Sequence, residues 1–136
     1  MPLSSNVVIP THARPGTIVS CQALPFFRHK GLVSDRFFDG KPMVLSNSAR
    51  SGCVAEEPWG VFAAQQSVEV DGYPSHFDPR AVLQIARSKI GTKYDLLSWN
   101  CEHFVTFAHG CRPHSSQLAL VTVLALIAGL AVISAN

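Results

Sequence analysis

The chain has few charged residues, which excludes several classes of function. Of its 136 residues, 11 are Lys or Arg and 9 are Asp or Glu, so the formal net charge is +2. Lys and Arg form no run that could follow a phosphate backbone, so we predict no nucleic-acid partner. A hydrophobic share of 47% excludes a disordered chain, and the length suits one domain with a substantial core.

Cysteine pairs and targeting signals are also missing. The four cysteines form no C-x-x-C pair, so we predict no zinc site, and no motif indicates another metal or a cofactor. The N-terminus has neither a basic stretch nor a long apolar run, so we expect no secretory signal. A reducing compartment is then expected, where a cysteine could serve as a nucleophile.

Patterning divides the chain into a lead-in segment, residues 1–14, a domain, residues 15–117, and an apolar helix, residues 118–135. The domain begins with short runs rich in β-branched residues and turn signals, and it continues with helical periodicity. The predicted strands are residues 17–22, 30–34, 42–47 and 67–70, with a further short candidate at 53–55. The predicted helices are residues 79–90 and about 99–109. We therefore predict an α+β fold with an antiparallel, meandering sheet of about four strands.

Cys101 stands where the second helix is predicted to begin. Unpaired N–H groups and the helix dipole favour a thiolate there, so a pKa below the usual value of about 8.5 is expected. The alternative is a small buried hydrophobic residue. His103 lies two positions further along the helix and points elsewhere, so it is a poor base for this thiol. His29 is the better candidate, because the apolar face of the helix should pack on the sheet near the second strand.

The C-terminal run begins at Leu118, ends at Ile133 and is apolar except for Thr122 and Gly129. A helix that is apolar on every side needs burial on every side, which one small domain cannot supply. We therefore expect a membrane anchor rather than a core helix. Every Lys and Arg precedes the run, with Arg112 nearest, which predicts a membrane-associated protein whose domain is cytoplasmic.

Three motifs in order resemble one family. The segment N-C-E-H-F at residues 100–104, the segment around His29 at residues 27–35, and G-T-K-Y-D-L-L at residues 91–97 are similar to motifs of the lecithin:retinol acyltransferase (LRAT) family of H-box/NC proteins. The resemblance covers about residues 15–117, and the apolar tail matches compact single-domain members that carry a hydrophobic anchor. It implies a permuted papain-like fold, in which a sheet supplies the histidine and a helix start supplies the cysteine.

The resemblance also implies roles for four residues. Cys101 would be the nucleophile and His29 the general base. A third polar residue would orient His29, and here the chain departs from the family, which usually has a histidine at that place. Ser46 stands there by alignment, whereas Asn47 fits by chemistry, because an asparagine can hold an imidazole. Side chains alternate along a strand, so only one of the two can face His29.

The function implied is that of a thiol acyltransferase or a phospholipase A-type hydrolase. It would act on acyl esters of phospholipids through a thioester on Cys101, without a cofactor. Two alternatives are open. A catalytically silent H-box/NC module would bind a partner or a membrane, and the missing third histidine favours it. A papain-like cysteine peptidase or amidase fits the predicted anchor less well.

Overall fold

The computed structural model describes residues 13–134 and has an α+β fold with one antiparallel sheet, as predicted. The strands are β1 (Ile18–Leu24), β2 (Phe27–Phe38), β3 (Lys41–Asn47), β4 (Val54–Glu57) and β5 (Val68–Gly72). The helices are α1 (Trp59–Ala63), α2 (Pro79–Arg87), α3 (Cys101–Ala108) and α4 (Ser116–Ser134). Most of the predicted lead-in, residues 1–12, lies outside the described residues, as do residues 135 and 136.

The sheet has five strands in the order β4-β3-β2-β1-β5, and every neighbouring pair is antiparallel. The prediction of about four strands is therefore one short, because the short candidate near residue 54 is a paired strand. The predicted meander, in which each strand pairs with the next along the chain, is observed for β1 to β4 but not for β5. β5 returns to the free edge of β1, where Ser20 Oγ donates to Asp71 Oδ1 at 2.8 Å.

Alternation along the central strands gives the sheet two buried faces. On one face, Leu32 of β2 and Leu45 of β3 pack with α2 and α3. On the other face, Val33 and Val44 pack against α1, whose Phe62 is fully buried. The residues of β2 therefore face α1 at odd positions and α3 at even positions, which decides where each site residue points.

The predicted C-terminal apolar helix begins slightly earlier than expected, at Ser116. Its large apolar side chains are exposed, among them Leu124, Leu126 and Leu130, each more than half accessible. Among residues 13–134, no helix has both the length and the apolarity needed to cross a membrane.

Candidate active site

The start of α3 is held by a reciprocal capping arrangement. Asn100 Oδ1 accepts from the backbone N–H of Glu102 at 3.0 Å and of His103 at 3.2 Å. In return, His103 Nδ1 accepts from the Asn100 backbone N–H at 3.1 Å. Two backbone N–H groups of the first turn, which would otherwise lack an acceptor, are thus hydrogen-bonded, and so is the N–H of the capping residue Asn100. His103 serves the helix start, and Cys101 becomes the first helical residue.

Cys101 is half-buried, and its Sγ contacts the carbonyl oxygen of Arg28 at 3.9 Å. Burial raises the pKa of its thiol, although the backbone N–H groups of Lys30 and Glu102 favour the thiolate. This differs from the lowered pKa that the helix start predicted. The sequence shows the dipole but not the depth at which the sulfur lies, and here desolvation is the larger effect. In the resting protein, Cys101 is a thiol.

His29 lies on β2 and faces α1. Its ring packs on the Phe62 ring, with 4.9 Å between the centroids. Within residues 13–134, its buried Nε2 has no hydrogen-bond partner. Burial, and secondarily the charge of Arg50, lowers the pKa of His29 to about 4. At neutral pH the imidazole is therefore uncharged and able to accept a proton.

A cavity of about 600 Å³ at one end of the sheet brings Cys101 and His29 together in its lining. It lies where β1 and β3 end and β2 begins, so residues from both faces of the sheet reach it. Its apolar lining includes Leu24, Phe27, Leu96, Leu118 and Val121. The last two belong to α4, so the C-terminal helix forms part of the wall. The cavity offers a nucleophile, a base and an apolar surface in one place.

The two candidates for the third position lie on opposite faces. Ser46 pairs with Gly31 and so shares the face of His29, whereas Asn47 points to the face of α3. Asn47 Nδ2 donates to the carbonyl oxygen of Trp99 at 2.6 Å and thereby holds the segment that precedes Cys101. The Oγ of Ser46 is buried and has no hydrogen-bond partner among residues 13–134. Neither side chain hydrogen-bonds to His29 in this structure.

Sequence reasoning missed Gln117 and Glu102. The side chain of Gln117 contacts the backbone of Arg28 at both its N–H and its carbonyl oxygen. Glu102 lies next to Cys101, and its carboxylate is 5% exposed and pairs with Lys30 Nζ at 3.5 Å. The one carboxylate in a helix that packs on the sheet was a signal for Glu102. Gln117 had none, because its partner lies 89 positions earlier.

The sequence model of the family described as lecithin retinol acyltransferase matches residues 13–113. The chain belongs to this family. The part of the chain matched to the lecithin retinol acyltransferase family contains His29 and Cys101, with Ser46 and Asn47 between them, and it ends before α4 begins. No curated protein matches the sequence.

Proposed function

We propose that this chain is a thiol-dependent acyltransferase or phospholipase A-type hydrolase acting on the acyl esters of phospholipids, with the permuted papain-like arrangement implied by its motifs. The observation that carries the proposal is the shared cavity: the Cys101 thiol and a neutral His29 imidazole both line it, beside apolar side chains. Family membership supports lipid acyl chemistry. An acyl chain on the apolar wall would leave its ester group near the polar pair.

The reaction begins with a neutral thiol and a neutral imidazole. His29 takes the proton from Sγ as the sulfur attacks the ester carbonyl, so an S–C bond forms. The C–O ester bond then breaks, and the imidazolium returns the proton to the departing alcohol oxygen. Water, or the hydroxyl or amine of an acceptor lipid, then gives a proton to His29 as it attacks the thioester carbonyl. The C–S bond breaks, and the imidazolium returns the proton to Sγ.

The developing oxyanion needs a donor from the backbone. Asn100 already occupies the N–H groups of Glu102 and His103. The N–H of Cys101 itself is thus the first-turn donor that we assign to this role. The cap therefore restricts the oxyanion site to one position beside the sulfur.

We also propose that α4 attaches the domain to a lipid surface. Leu118 and Val121 line the cavity, and from Ala119 onward the described side chains of α4 are exposed. Apolar surface of this extent is unfavourable in water and is relieved by lipid. Attachment there would bring phospholipid esters to the mouth of the cavity. The position of every Lys and Arg before α4 supports a domain on the cytoplasmic side.

The test is fatty-acid release from dispersed short-chain phosphatidylcholine, together with intact-mass detection of an acyl group on the protein. Cys101→Ala should abolish both signals, and His29→Gln should reduce them on the order of a hundredfold or more. Cys111→Ala is the matched control, because that thiol is exposed and lies outside the cavity lining. Release that survives in Cys101→Ala would refute the proposal.

A second candidate is a catalytically silent module that binds a membrane. The absence of a hydrogen bond from Ser46 or Asn47 to His29 favours it, since an imidazole without an orienting group is a weaker base. This candidate predicts vesicle binding by the wild type without fatty-acid release and without an acyl adduct at Cys101.

A further inference from the structure

Gln117 holds the peptide of Arg28 at two points. Its Oε1 accepts from the Arg28 N–H at 2.8 Å, and its Nε2 donates to the Arg28 carbonyl oxygen at 3.2 Å. A primary amide presents one acceptor and two donors, so it can pair with a strand as a neighbouring strand would. The pairing of β2 with β3 reaches only as far as Gly31 and Ser46. Gln117 therefore supplies partners for a stretch of β2 that β3 does not cover.

The backbone of Gln117 is fixed beside the nucleophile as well. Its N–H donates to Glu102 Oε2 at 3.2 Å, and the hydroxyl of Ser116 donates to Glu102 Oε1 at 3.1 Å. Although burial acts to raise it, the pKa of Glu102 is held below its usual range by hydrogen bonds such as this one and by the charge of Lys30. The group that holds the Gln117 backbone is therefore the ionised, buried carboxylate of Glu102. Gln117 thus contacts the residue before His29 and the residue after Cys101.

The carbonyl oxygen of Arg28 is shared between Gln117 and the thiol. It accepts a hydrogen bond from Gln117 Nε2 at 3.2 Å and lies 3.9 Å from Cys101 Sγ. A carbonyl freed from the amide would accept the S–H more strongly and would compete with His29 for that proton. An engaged carbonyl leaves the thiol proton available to the base.

We propose that Gln117 is a positioning residue, which fixes the Arg28 peptide between His29 and Cys101 and thereby ties the geometry of this pair to the start of α4. The proposal rests on the proposed function, because positioning matters only if the pair reacts. It also gives α4 a second role. The helix that exposes apolar side chains to its surroundings contributes to the cavity through Leu118 and Val121 and to the reactive pair through Gln117.

The test uses the full chain with Gln117→Met, which keeps the length of the side chain and removes both hydrogen bonds. Gln84→Met is the matched control, because Gln84 is an exposed residue in the middle of α2. Iodoacetamide labelling is followed by peptide mapping, with exposed Cys111 as the internal reference and buried Cys21 as a reporter of unfolding.

In Gln117→Met, labelling of Cys101 relative to Cys111 should slow on the order of tenfold, because the freed carbonyl holds the thiol proton. On dispersed short-chain phosphatidylcholine, kcat should fall by a similar factor while KM changes less than about twofold. Gln117→Leu also removes both hydrogen bonds and adds no charge, so it should slow labelling as well. Gln84→Met should match the wild type.

Unchanged or faster labelling of Cys101, with Cys21 still protected, would overturn the proposal, since Gln117 would then only cover the thiol. If Cys21 becomes reactive in Gln117→Met, the comparison moves to Gln117→Leu under the same criteria. A wild type that releases no fatty acid would refute the proposed function alone, because the labelling comparison decides on Gln117 without any lipid.

Discussion

Replacing Gly31 with alanine tests whether packing against α1 determines the position of His29. Gly31 lies two residues after His29 on β2 and on the same face. A Cβ added there would lie 2.5 Å from Val44 Cγ1, 2.8 Å from Phe62 Cε2 and 3.0 Å from the carbonyl oxygen of Leu45. Val44 and Phe62 are both fully buried, and only Phe62 borders the cavity into which a side chain could shift. The methyl group must displace the strand or the Phe62 ring.

The expected cost follows from the two close contacts. Overpacking by a methyl group in a closed core costs about 1–3 kcal/mol in the free energy of unfolding. For a domain of this size, each kcal/mol lowers Tm by about 4 °C, so Gly31→Ala should melt about 4–12 °C below the wild type. Because Phe62 stacks on His29 with 4.9 Å between the ring centroids, Cys101-dependent fatty-acid release should fall as well.

Gly60→Ala is the matched control for this substitution. Gly60 lies in α1, and an added Cβ would meet nothing within 4 Å. Alanine is a better helix former than glycine, so the free energy of unfolding of this variant should rise by about 0.5–1 kcal/mol. Both variants are measured by thermal melting under circular dichroism. A Tm for Gly31→Ala equal to that of the wild type would show that the sheet and α1 are not closely packed here, and the account of His29 would have to be abandoned.

Four other outcomes are expected. His29 has a pKa of about 4, below its ordinary 6.5, so its protonation favours the unfolded state and the protein loses stability as pH falls from about 6.5 to 4. In a plot of the urea unfolding midpoint against pH, His29→Gln should flatten this range. Cys111 should react with iodoacetamide before Cys101 at pH 7.5, because Cys111 is exposed whereas Cys101 is half-buried and desolvation raises the pKa of its thiol; the reverse order in peptide maps would contradict this. Asn100→Ala should lower the unfolding free energy by about 1–2 kcal/mol in urea titrations. A chain ending at Gln117 should stay folded and stop co-floating with phosphatidylcholine vesicles; insolubility would mean that α4 belongs to the core.

Local signals predicted the elements that carry the site. A helix was predicted to begin at residue 79, and α2 does begin at Pro79, where the Asp78 side chain accepts from the Arg80 N–H. The spacing of apolar residues from Cys101 onward indicated a helix that packs on the sheet, and Phe104 of α3 lies in that core. Asp39 and Gly40 lie between the predicted strands 30–34 and 42–47, and both adopt a positive φ in the tight β2–β3 turn. Such signals lie within a few residues of what they determine, so one sequence suffices to read them.

Properties that depend on distant parts of the chain were harder to predict. The edge that β5 joins is decided by pairing with β1 some 50 residues earlier, as in the bond from Ser20 to Asp71. The pKa of Cys101 depends on burial by several segments, so the helix start alone predicted the wrong direction. Ser46 and Asn47 could not be separated until the register with Gly31 was known.

Burial of Cys101 as a neutral thiol also bears on the chemical lifetime of the protein. Peroxides oxidise the thiolate, and the first product, a sulfenic acid, leads on to irreversible sulfinic and sulfonic acids. A thiol with a raised pKa is seldom ionised at neutral pH and is therefore attacked slowly. Cys111 is exposed to solvent, so peroxide reaches its sulfur directly and should oxidise it first. The desolvation that keeps Cys101 protonated, and so lowers its reactivity before substrate binds, thus also protects it against oxidative damage.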